Sequence, residues 1–312
     1  MSHVANHPGN RLLHPRRAVA AVWLTLGCLG QLPASEPTDG TLIADRFRAL
    51  TRTARWEKVD ETKLEFRTHH PQGMTIVGDR FFLSSVEVID RGQGRGVGHL
   101  FEVDFRGSLL RQIRLGDGPV YHPGGIDYDG KWIWVPVAEY RPDSRSVVYR
   151  VDPRSLEAEE VFRYGDHLGA LVCDAQRRFL VGVSWGSRRF YRWKLGEDEA
   201  VPVAADMPVE MLNGNHYVDY QDGQILAGTP WALFGGVSGL GGDGTSALVL
   251  GGLELVDVWE MRAVHQLPVM LKATGGQSMP RNPFAVRTTA KGLRFYFVPE
   301  DDSSALHVYD IE

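Results

Sequence analysis

The sequence predicts an all-β chain wound into a five-bladed β-propeller, closed by pairing of its N- and C-terminal strands, and three observations point there. Four histidines recur at one address after a turn and ahead of a short apolar run: His70 in HPQGM, His122 in HPGGI, His167 in HLGAL and His216 in HYVDY, with Asn282 opening a fifth unit. A second echo follows them, because Glu87, Glu139, Trp185, Trp231 and Glu300 trail these residues by 17, 17, 18, 15 and 18 positions. The intervening sequence is a series of short apolar runs, such as 74–77, 80–88, 99–104 and 109–115, punctuated by Gly, Asp, Pro and Asn. That is the grammar of antiparallel strands, and no long 3.6-residue periodicity competes with it in the body of the chain.

Residues 1–34 read as a secretory signal peptide: Arg11, Arg16 and Arg17 precede an apolar run over 18–32 that ends near Pro33, Ala34 and Ser35. Cleavage near Ala34 is the expected fate. Lipid attachment at Cys28 is the alternative, and either route sends the body to the periplasm or outside the cell. Residues 35–54 read as a linker. The propeller then spans 55–312, with blades over about 70–117, 122–165, 167–209, 215–271 and 282–312. The last group is one strand short, and residues 55–66 can supply it, which removes the exposed sheet edges of a linear array. Turns at Val77-Gly78-Asp79 and Tyr128-Asp129-Gly130 fall where the first and second strands should reverse. Third strands echo one another from Phe101, Tyr149, Tyr191 and Val308. Residues 234–246, FGGVSGLGGDGTS, read as a glycine-rich loop joining strands of the fourth blade.

Composition narrows the function classes. Charged residues are 23% and apolar residues 43% of the chain, which suits a folded domain with a core. Removing residues 1–34 leaves 31 basic against 39 acidic side chains, a net charge of −8, which disfavours nucleic acid. No segment of the body offers the roughly 20 apolar residues of a membrane span, and the expected partner of this monomer is a small-molecule ligand or substrate. Cys173 is the body's one cysteine, lies in an apolar run and reads as an inert core residue.

Inner strands of a propeller line its axis, so His70, His122, His167, His216 and Asn282 should ring the channel mouth. The second strands return to the same face and bring Glu87, Glu139 and Glu300 beside them. A lone histidine here would be structural. Four neutral imidazoles instead suit a divalent transition metal, Zn, Fe or Mn, with the glutamates orienting the ligands or transferring protons in a metal-dependent hydrolase or lyase reaction. Trp185 and Trp231 with Asn282 would form a ligand-binding wall for a flat or sugar-like molecule, and a non-catalytic ligand-binding propeller is the alternative. Arg141, Arg188 and Arg189 follow the second-strand ends and could reach an anion. His69 should point away from the ring, while His99, His265 and His307 read as surface residues.

With those motifs in place, the chain resembles a family of exported bacterial β-propellers. At blade level it is similar to the senescence marker protein/gluconolactonase, strictosidine synthase-like and paraoxonase propellers. Those families have six blades and an axial calcium held by Glu, Asn and Asp, roles that only Asn282 and the glutamates could take here. The set of four histidines and three glutamates is also similar to that of the carotenoid oxygenases, which implies Fe(II) chemistry by analogy on a shared architecture.

Overall fold

The computed structural model describes residues 39–197, 201–240 and 248–312. The stretch 1–34 expected to be a signal peptide, Cys28 included, therefore lies outside the described residues. Strands β1 (Trp56–Lys63), β2 (His70–Val77), β3 (Arg80–Asp90), β4 (Arg95–Asp104) and β5 (Leu109–Leu115) open the domain. They are followed by β6 (Val120–Pro123), β7 (Asp127–Tyr128), β8 (Ile133–Glu139), β9 (Ser146–Val151) and β10 (Ala158–Tyr164). The third and fourth groups are β11 (Leu168–Asp174), β12 (Phe179–Ser184), β13 (Arg189–Lys194), β14 (Val209–Leu212), β15 (Asp219–Ile225), β16 (Trp231–Leu240), β17 (Leu248–Asp257) and β18 (Arg262–Val269). The last is β19 (Phe284–Thr288), β20 (Leu293–Phe297) and β21 (Ala305–Ile311).

These strands form five antiparallel sheets: β2-β3-β4-β5, β6/β7-β8-β9-β10, β11 to β14, β15 to β18, and β19-β20-β21-β1. The last sheet closes the ring, with Trp56 opposite Ile311 and Lys63 opposite Ala305. Inner strands β2, β7, β11, β15 and β19 touch one another around the axis. Period-two alternation gives each sheet two buried faces, and five apolar clusters fill the five gaps between blades. Trp134 and Trp193 fill the gap between blades 2 and 3, Phe190 and Phe234 that between 3 and 4, and Phe81 and Phe101 that between 5 and 1.

The axis is narrow, and this explains the glycines of the recurring motifs. A Cβ on Gly73 would lie 2.5 Å from the Ile126 amide nitrogen, and one on Gly125 would lie 2.7 Å from the Asp222 Cα. Only glycine permits such backbone approach. The gathered backbone groups then need partners, and Asp222, fully buried, supplies them. Its Oδ2 accepts from the amides of Met74 at 2.8 Å and Phe284 at 3.2 Å, and its Oδ1 from Ile126 at 3.1 Å and Gly223 at 2.9 Å. One carboxylate thus ties blades 1, 2, 4 and 5. Blade 3 joins through the parallel bridge Gly125–Ala170 and through Asp127 Oδ2, which accepts from the Cys173 amide at 3.0 Å. Burial pushes the Asp222 carboxyl well above its usual range, against the pull of its amide donors, and pushes Asp127 up to about 8.

Two expectations from sequence are corrected. The stretch 35–54 is not simply a linker, because Asp39–Ala49 form a helix, α1, whose Ile43, Ala44 and Phe47 pack into the cluster of blades 4 and 5. Its apolar face is only three turns long and is flanked by arginines, so it left a weak periodic signal. The glycine-rich segment from residue 234 is strand rather than loop up to Leu240, pairing residue by residue with β17. Gly236 lies there because a Cβ would strike the Asp219 carbonyl at 1.8 Å, so close packing and not turn chemistry selects glycine.

Candidate functional site

The motif residues head the inner strands at one end of the channel, the upper mouth. His70 opens β2, His122 lies within β6, His167 immediately precedes β11, and Asn282 sits two residues before β19. His216 sits three residues before β15.

Each imidazole is held individually. His70 Nδ1 donates to Asp301 Oδ1 at 2.8 Å, His167 Nδ1 to the Glu139 carbonyl at 2.9 Å, and His216 Nδ1 to the Asn213 carbonyl at 2.7 Å. These bonds fix the tautomer with Nε2 as the remaining lone pair. On His216 that lone pair is already taken, since Arg188 Nη1 donates to it at 2.7 Å. Asp219, 3.5 Å from the same nitrogen, raises the His216 pKa. His122 and His167 do approach each other, with ring centroids 5.6 Å apart. Among the described residues, however, no three of the four expected ligands bring ligating atoms within 4.8 Å of one another. No such gathering of the four histidines is found among the described residues, and the Nε2 of His216 accepts from a guanidinium.

The expected carboxylates part company too. Glu139 is clamped by Arg141 Nε at 2.8 Å and Arg145 Nε at 2.7 Å. Glu300 accepts from His307 Nε2 at 3.0 Å and caps the turn into β21. Asn282 is a buried clamp, donating to the Pro299 carbonyl at 3.1 Å and to Asp301 Oδ1 at 3.0 Å. Glu87 lies on blade 1 near His69 and His99. Trp231 opens β16 at the lower end, beneath the Arg48 guanidinium at 5.2 Å. Its spacing of 15 from His216 matched the other blades by count alone: His216 lies three residues ahead of β15, and Asp219 pairs with Val237, so fifteen positions reach only the start of β16. His99 and His307 are buried in their sheets, and His265 is half-buried against Phe47, so none is a surface residue. Arg188 and Arg189 pair with Asp219 and Glu210.

What does gather at the mouth is an aromatic and imidazole cluster. Tyr140 stacks on His122 with centroids 4.1 Å apart, and Trp185 meets His167 edge-on at 4.7 Å and Tyr140 at 5.8 Å. The Arg91 guanidinium lies 4.1 Å over Tyr140 and 5.9 Å from Trp185, and no carboxylate pairs with it among the described residues. Burial drives the His122 pKa well below its ordinary value and brings His167 down to about 4, so both rings are neutral at neutral pH. His122 Nδ1 is buried without a partner. Asp301, missed by the sequence reading although it follows Glu300, organises one side by holding His70, Asn282 and Arg281. Burial pushes its carboxyl up, but these partners hold it at about 2. At the lower end a separate cavity of about 670 Å³ is lined by Asp39, Asp127, Cys173, Asp174, Gln224 and Arg287. Burial raises the Cys173 thiol well above its usual range, consistent with an inert core residue.

A family profile described as DUF6454, a family of unknown function, matches residues 32–312. The chain belongs to this family. No curated protein matches it. Among solved structures, this DUF6454 chain is similar to a hypothetical protein from Leishmania major, with 10% identity, a TM-score of 0.50, and coverage of 81% of this chain and 90% of that one. It is also similar to the GH43 endo-arabinanase from Bacillus licheniformis (10% identity, TM-score 0.48, 80% and 95%). A third likeness is to Kuenenia stuttgartiensis hydrazine synthase (13%, 0.40), where the match spans 76% of this chain and 58% of that one. At 10% identity the first likeness speaks to the fold alone, and nothing is drawn from the other two.

Proposed function

We propose that this DUF6454 protein is a ligand-binding propeller whose upper mouth takes a small molecule with a planar face and an anionic group. The observation that carries this reading is Arg91: its guanidinium stacks on Tyr140 beside Trp185 with no carboxylate partner, over a pair of neutral imidazoles. Rigid aromatic faces supply area at little entropic cost, and an Arg fork supplies orientation. The buried, unpartnered His122 Nδ1 adds a polar atom that a ligand or water would satisfy. The hydrolase or lyase reading has less support, because Glu139 and Glu300 are engaged by arginines and by His307.

Calorimetric titration with a panel of aromatic carboxylates and sugar acids tests this. Arg91→Ala and Trp185→Ala should each weaken the best ligand about tenfold or more, roughly 1.4 kcal/mol, while leaving the thermal midpoint unchanged. Binding that ignores both substitutions overturns the reading.

A further inference from the structure

Outside the mouth, blade 1 carries a second cluster of ligating groups. His69, Glu87 and His99 each present one ligand atom, and all three atoms lie within 4.8 Å of one another. His99 sits on β4 opposite Ser85 of β3, two residues from the pair Glu87–Val97. Its side chain is only 7% exposed, yet neither ring nitrogen has a hydrogen-bond partner. Glu87 Oε2 approaches Nε2 to 3.7 Å, too far for a hydrogen bond. His69 lies parallel to His99 with centroids 4.9 Å apart, and Phe101 stacks beside both, 5.2 Å from His99 and 6.5 Å from His69. His69 reaches this position at φ 57°, in the left-handed region that costs an L-residue roughly 1 kcal/mol or more.

We propose that His69, His99 and Glu87 form a binding site for one divalent transition-metal ion of the zinc class. Two imidazoles and a carboxylate are a donor set suited to such ions, and three protein ligands leave a coordination position open to water or a small anion. A buried imidazole with two orphaned nitrogens is otherwise a standing cost, which a metal on one nitrogen relieves. Glu87, 35% exposed, can swing in, and tightening the set to bonds near 2.1 Å requires movement of about 1 Å. This site is independent of the ligand reading at the mouth, since it uses none of Arg91, Tyr140, Trp185, His122 or His167.

The full chain, purified without a tag and stripped with chelator, is titrated with Zn²⁺ by calorimetry and with Co²⁺ by visible absorption. One equivalent should bind, with a Co²⁺ spectrum of low-symmetry coordination. Glu87→Gln should weaken Zn²⁺ at least tenfold, and His69→Ala should abolish the one-equivalent step, while His122→Ala leaves it intact. His69 and Glu87 are partly exposed, so both variants test the site even if His99→Ala fails to fold. Absence of a one-equivalent step, or a step untouched by His69→Ala and Glu87→Gln, overturns the proposal. Loss of the step in His122→Ala alone would place the metal at the mouth instead and overturn it equally.

Discussion

At the residue scale, burial decides which side chains respond to pH. His167 titrates near 4 in the folded chain against an ordinary value near 6.5, and His122 shifts the same way. The unfolded chain then binds more protons in that window, so their stabilising contribution is complete above about pH 6.5 and is lost as pH falls toward 4. Asp127 acts with the opposite sign: its folded value near 8 lies above the unfolded one, so its contribution declines as pH rises from about 4 to 8. Thermal midpoints measured across pH 4–8 should therefore show a shallower acid-side loss in His167→Gln and a shallower alkaline-side loss in Asp127→Asn than in the parent. Parallel curves for parent and variants would show that neither group governs the profile. The positions of the histidines were legible in the sequence because repeats place them at the heads of inner strands. Their partners were not. Arg188 on His216 and the two arginines on Glu139 follow from side-chain reach within a blade, which spacing does not encode. His99 looked like an outer-strand surface residue because nothing in its own strand reveals that His69, from the turn before β2, stacks on it.

At the element scale, the strands and their order were legible because period-two alternation and turn residues are local signals, and the third-strand echo falls on β4, β9, β13 and β21 as expected. The helix and the glycine-rich strand were not. Both depend on distant packing: α1 is stabilised by the floor it covers, with Phe47 fully buried among residues of blades 4 and 5, while Gly236 answers to a neighbouring strand's carbonyl. Isolated helices of this length are marginal in water, so α1 owes its stability to docking. Phe47→Ala should lower unfolding stability by about 3 kcal/mol or more in a denaturant titration, and should release α1 to amide exchange before the blades. A change under about 1 kcal/mol would mean the helix is dispensable to the domain.

At the scale of the whole molecule, Asp222 is the point on which the blades converge. Its two oxygens each accept two amides, so an Asn in its place would turn an NH₂ toward two N–H donors in either orientation. Each orphaned buried donor costs about 1–3 kcal/mol. Asp222→Asn should thus lower the thermal midpoint by on the order of 10 °C, while a surface control such as Asp79→Asn leaves it in place. A midpoint shift under about 2 °C would show that the channel tolerates an unpaired centre. The sequence contained this residue in HYVDYQD but drew attention to the histidine instead, since only blade 2, with Asp127, has a comparable inner-strand carboxylate and five blades do not repeat it.

The final sheet joins β1 to β21, segments about 250 positions apart. Their docking encloses the largest loop in the chain and cannot begin until the last strand exists, so it carries the greatest closure entropy of any pairing in the ring. Until then β21 offers a bare hydrogen-bonding edge to any extended peptide nearby, including β1 of another copy, and the same geometry that leaves the mature ring without a seam makes strand exchange its natural misfolding route.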